Sequence, residues 1–67
     1  MSADEHLQRA EELLRRLEST RDELERLAAG DPDADRAVEV LQELAELARQ
    51  VEVELASARR DAEAGEA

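Results

Sequence analysis

The sequence predicts an all-α fold, an antiparallel two-helix hairpin that pairs into a four-helix bundle, and three observations carry that expectation. Ala, Leu, Glu and Arg dominate the 67 residues, the composition of long helices and coiled coils. Apolar residues recur three and four apart through both halves of the chain, a spacing that gathers them on one helical face. The helix-breaking run Gly30-Asp31-Pro32 interrupts this pattern once, near the middle.

Helix 1 is expected over about residues 3–29. Ser2 followed three residues later by Glu5 has the form of a capping box, in which each side chain satisfies a backbone N–H left free at the helix start. At the other end Gly30 can take the left-handed conformation that closes a helix, and Pro32 cannot continue the backbone bonding. The turn is set at 30–32. Helix 2 follows over about 33–62, with Asp31 or Asp33 as N-cap and Pro32 tolerated in the first turn. The acids Asp33 and Asp35 suit its positive pole, and Arg59 and Arg60 its negative one. The tail, 63–67, is expected to fray. Two helices of roughly 27 to 30 residues, each about 40 Å long, and a tight link between them make the hairpin.

In helix 2 the positions Ala34, Ala37, Leu41, Leu44, Ala48, Val51, Leu55, Ala58 and Ala62 alternate three and four apart, a heptad seam. Val38 and Ala45 flank it on one side, Val40 and Leu47 on the other. Helix 1 offers an inner stripe through Ala10, Leu13, Leu17, Thr20, Leu24 and Leu27, and an overlapping one that adds Leu7 and Leu14 but would place Arg21 in the seam. Both faces are wider than two helices can cover, which predicts further helices from a second hairpin. Acid-first pairs four apart (Glu5 with Arg9, Glu11 with Arg15, Glu12 with Arg16, Asp22 with Arg26) read as surface stabilisation of helix 1, about 0.2–0.5 kcal/mol each.

Size and charge bound the function. A chain this short buries little of its surface and has no Cys for disulfides, so oligomerisation is the expected source of extra stability, with a dimer favoured. Nineteen acidic residues against nine Arg give a net charge of −10, the wrong sign for direct nucleic-acid binding or for an anionic membrane surface. No stretch approaches the roughly 20 apolar residues of a membrane span, and the N-terminus lacks signal-peptide character, so a cytoplasmic location is expected. The missing residue types (no Lys, Asn, Ile, Phe, Tyr or Trp) fit a GC-rich gene or computational design equally well.

Chemistry-bearing motifs are weak. Asp31, Asp33 and Asp35 imitate the start of a calcium loop, but its sixth and twelfth positions are Arg36 and Gln42, and helix capping accounts for the acids. His6, in the first turn with no second His and no Cys, reads as a residue on the surface or over the bundle end. Neighbouring acids such as Glu11 with Glu12 or Asp22 with Glu23 lack the pocket that would separate their pKa values. The sequence therefore predicts no catalytic, cofactor-binding or metal-binding residues, and no enzyme.

The segment from Leu13 to Arg59 resembles the small subunit family of exodeoxyribonuclease VII. Glu25-Arg26-Leu27-Ala28-Ala29-Gly30-Asp31 is similar to that family's Leu-Glu-Ser-Gly-Asp helix end, and Asp35-Arg36-Ala37-Val38-Glu39 lies where its Glu-Glu-Ala-Leu-Glu segment falls. Leu47-Ala48-Arg49 coincides with its Leu-Ala-Arg run. Departures are Pro32-Asp33-Ala34 for Leu-Pro-Leu, Leu41 at an aromatic position, and Leu44 at a Gly that would otherwise permit close backbone approach. The resemblance implies a non-catalytic subunit of a nuclease that degrades single-stranded DNA, partnered by a large catalytic subunit that carries the chemistry. On that analogy Leu41, Leu44, Leu47 and Val51 form the assembly interface, with Leu13, Leu17, Leu24 and Leu27 as their partners within the hairpin or between hairpins; the seam adds Leu55. The alternative is a self-associating helical bundle or adaptor with no nuclease connection.

Overall fold

A computed structural model describes residues 2–30 and 33–66. α1 runs Ala3–Ala29 and α2 runs Ala34–Glu66, packed side by side in a hairpin about 55 Å long and 15 by 13 Å in section. The predicted turn residues Asp31 and Pro32, Asp31 as an N-cap, and the last tail residue Ala67 lie outside the described residues.

Both helix starts are built as the sequence implies. The Glu5 N–H donates to Ser2 Oγ at 3.2 Å, and the Ser2 N–H donates back to Glu5 Oε1 at 3.3 Å, completing the capping box. At α2, Asp33 Oδ1 accepts from the Arg36 N–H at 3.1 Å and the Asp33 carbonyl accepts from Ala37 N–H at 2.9 Å. Helix ends depart from expectation twice. Gly30 is not left-handed: its φ is −97° and ψ is −151°, and its N–H donates to the Arg26 carbonyl at 3.0 Å as a last helical bond before the chain extends away. A Cβ there would sit 3.3 Å from that same carbonyl oxygen, so close approach, rather than handedness, favours glycine. The tail expected to fray instead continues α2 to Glu66. Ala and Glu are strong helix formers, and Arg59 Nε donates to Glu63 Oε1 at 3.1 Å across one turn.

The core is a single seam. On α1 it follows the inner stripe: Ala10, Leu13 and Thr20 are buried, and Leu17, Leu24 and Leu27 are half-buried along it. Thr20 satisfies its hydroxyl locally by donating to the Arg16 carbonyl at 2.8 Å. On α2 the predicted seam is corrected. Ala37, Leu44, Val51 and Ala58 hold their places, but the positions between them are one residue earlier than expected: Val40, Leu47, Glu54 and Asp61 replace Leu41, Ala48, Leu55 and Ala62. Val40 is fully buried and Leu47 is 3% exposed, whereas Leu41 is 52% and Leu55 46% exposed. α2 is thus rolled by about 50°, half the angular step between neighbouring residues. The roll brings Leu47 and Val51 together against Leu13 and Leu17, the centre of the core, and sets Glu54 and Asp61 opposite His6.

The four acid-first pairs predicted on α1 are also corrected, since ion pairs among the described residues form elsewhere. Arg9 reaches across to Glu54 at 3.1 Å, and Arg21 contacts Asp22 and Glu25 at 3.7 and 3.8 Å. A long arginine on an exposed helix face gains little from any one acid, so a half-buried carboxylate on the opposite helix outcompetes its own turn.

Leu47→Ala should lower unfolding free energy by roughly 2–5 kcal/mol in a urea titration followed by circular dichroism, because it opens a cavity in the core of Leu13, Leu47 and Val51. Gln42→Ala, on the outer face, should stay within about 0.5 kcal/mol. Equal effects would contradict the seam.

Candidate functional site

The roll of α2 gives the hairpin two unlike flanks. One is charged. Arg36 spans the two helices to Glu23 and also donates to Glu39 at 3.2 Å, which together hold its guanidinium pKa above the ordinary arginine value, Glu23 contributing most. On the same flank Arg9, Arg49, Gln50 and Val53 border an open groove of about 160 Å³ floored by Leu13.

The other flank is apolar. Moving outward from the seam on the side away from Arg9 and Glu23, α1 presents Leu7, Leu14, Arg21 and Ala28, each one heptad from the next, and α2 presents Leu41, Ala48, Leu55 and Ala62. Val38 and Ala45 widen the α2 half. Of the six large apolar side chains left exposed among the described residues, five (Leu7, Leu14, Val38, Leu41 and Leu55) lie on this flank and Val53 lies on the charged one. Scattered exposed leucines are ordinary on a protein surface; a strip of them running the length of the molecule is not.

At the open end of the hairpin the seam turns polar. His6 takes the place of a core leucine on α1, with Nδ1 2.6 Å from Glu54 Oε2 and Nε2 3.3 Å from Asp61 Oδ2. Arg9 Nε donates to the second oxygen of Glu54. Asp61 Oδ2 is buried and forms no hydrogen bond of good geometry. The hydrogen bond from His6, aided by that from Arg9, holds the Glu54 carboxyl below the ordinary glutamate pKa, and the Ser2 cap does the same for Glu5. The two acids meet opposite nitrogens of the ring instead of converging on one point. Among the described residues no group of three or more His, Cys, Asp or Glu side chains is placed to hold a metal ion.

The nine residues predicted for assembly separate into three groups. Leu13, Leu47 and Val51 are buried within the hairpin, with Leu17 packed against them. Leu24, Leu27 and Leu44 lie half-buried along the same seam. Leu41 and Leu55 point outward onto the apolar flank. Sequence reasoning passed over Leu7 and Leu14 as outer-face residues because their stripe contains Arg21, and it missed the His6 cluster. The signal for the cluster was present: the inner stripe, extended back from Leu13 and Ala10 by the same alternation, arrives at His6.

Compared with protein-family models, curated proteins and solved structures, the chain matches none. No helix among the described residues is long and apolar enough to cross a membrane.

Because the folded-state pKa of Glu54 is lowered, its contribution to stability is present above the ordinary carboxylate range and disappears as pH falls through it. Glu54→Gln should therefore melt below the parent chain at neutral pH, with the gap closing on acidification below about pH 4. A gap that is constant with pH would mean that the carboxylate's charge does not contribute.

Proposed function

We propose that this chain is a non-catalytic helical subunit that works by helix–helix assembly, and that the assembly it serves is a complex of the exodeoxyribonuclease VII kind, degrading single-stranded DNA through a large catalytic subunit. The observation that carries the assembly reading is the apolar flank from Leu7 and Leu55 at the open end to Val38 and Leu41 toward the turn. A soluble hairpin has no use for such a strip unless another helix covers it. The nuclease reading draws on the resemblance around Leu27-Ala28-Ala29-Gly30-Asp31 and Leu47-Ala48-Arg49, and it fits a net charge of −10, which leaves DNA contact to the larger partner.

A tagged chain used as bait in its native lysate should retain a large subunit together with single-strand DNA degradation. The double substitution Leu41→Asp with Leu55→Asp should abolish both while circular dichroism remains helical, since neither side chain is needed inside the hairpin. Retention without nuclease activity would remove the nuclease reading; retention undiminished by the substitutions would remove the apolar flank as the site.

A further inference from the structure

We infer that the apolar flank is a groove for one amphipathic helix of a different protein, a helix whose apolar stripe is edged on one side by lysines or arginines a heptad apart. This rests on the assembly reading above and names the chemistry of the partner's segment. Three observations lead to it.

The first is the border of the strip. On α1 the row next outward from Leu7, Leu14 and Arg21 is Asp4, Glu11, Glu18 and Glu25, every member acidic and one heptad from the next. All four side chains are exposed, and the row extends about 32 Å by the 1.5 Å rise per residue. No other heptad row of either helix carries a single charge throughout. The matching outer row of α2 is Val38, Ala45, Glu52 and Arg59, so the strip has one acidic border and one mixed border.

The second is that the chain does not neutralise this row. On the opposite flank acids are answered by arginines: Glu54 by Arg9 and Glu23 by Arg36 across the two helices, and Glu46 by Arg49. Among the described residues Asp4, Glu11 and Glu18 form no ion pair, and Glu25 forms one of 3.8 Å with Arg21. Arg15, beyond the row on the side away from the strip, contacts neither Glu11 nor Glu18. The unanswered stretch from Asp4 to Glu18 runs beside Leu7 and Leu14, with Ala48 and Leu55 as the other wall. A helix laid there sets its apolar anchors on the leucines and its edge over three carboxylates. Basic residues on that edge turn the mutual repulsion of the row into attraction.

The third is the exclusion of a second copy. α1 laid on α1 would set the acidic row against itself. α1 laid on α2 would set it along Val38, Ala45, Glu52 and Arg59, where the one cation, Arg59, is already held by Glu63 at 3.1 Å. Two copies would also bring together net charges of −10 each. Like charges face to face oppose association, so the border that attracts a basic-edged helix disfavours the chain's own.

The test is fluorescence anisotropy with a labelled probe peptide of three heptads, Leu at both core positions of each heptad and Lys along one edge, beside a twin with Glu along that edge. The purified chain should bind the Lys-edged peptide about tenfold more tightly than its twin. Glu11→Lys with Glu18→Lys should reverse that order with helicity retained, and Glu12→Lys with Glu43→Lys, the same change in net charge away from the flank, should preserve it. Leu14→Asp with Leu55→Asp should abolish binding of both peptides. Equal loss after either charge exchange, or binding of neither peptide, overturns the inference. So does a chain that sediments at twice its mass of 7.5 kDa and at the single mass after Leu41→Asp with Leu55→Asp, because a second copy then fills the groove. A large subunit retained from lysate undiminished by Glu11→Lys with Glu18→Lys overturns the basic edge and leaves the assembly reading standing, whereas the expected peptide order with no nuclease on the bait supports the inference and removes only the nuclease reading.

Discussion

Which side of α2 turns toward α1 decides everything else about this molecule. α2 carries apolar residues over more than half its circumference, so hydrophobicity alone does not choose its orientation. With Val40 and Leu47 inward, the hairpin obtains a short dry centre at Leu13, Leu17, Leu47 and Val51 and leaves Leu41 and Leu55 on one outer side. The apolar flank is therefore a by-product of the packing within the hairpin. The same roll that completes the small core displaces the larger leucines from it.

The polar cluster at the open end belongs to the same choice. His6, Glu54, Asp61 and Arg9 meet only when α1 and α2 are antiparallel in this register and at this roll. Half-buried ionic contacts of this kind add little net stability against apolar alternatives, because desolvation offsets most of their attraction. Their value is discrimination: Glu54 and Asp61 stand one heptad apart, so sliding α2 by seven residues along α1 would leave the imidazole with one of its two acids instead of both. Leucines, by contrast, pack nearly as well against any other leucine.

Much of the fold was legible in the sequence because it rests on local chemistry. The Ser2–Glu5 box, the Asp33 cap and the break after Ala29 each involve residues within one turn of one another, and all stand where the sequence places them. The inner stripe of α1 was legible for a related reason, since Arg21 rules out the competing stripe. The α2 seam was not, because its two candidate stripes share Ala37, Leu44, Val51 and Ala58 and differ only in whether Leu41 and Leu55 or Glu54 and Asp61 turn inward. Apolar periodicity favours the leucines. The opposing helix, with His6 at its end, reverses that preference, and no pattern read along one helix contains such information. Leu41 and Leu55, seam positions by that periodicity, stand on the outer flank beside Leu7 and Leu14.

Seen as an energy landscape, the shared residues of α2 describe two neighbouring basins separated by a roll of about 50°. Apolar burial makes both deep. The contacts of one imidazole with two carboxylates exist in only one of them, so the gap between the native hairpin and its nearest misfolded neighbour is governed by polar atoms at the periphery, while the depth of both wells is governed by the leucines. In this chain uniqueness and stability are held by different residues of the same helix.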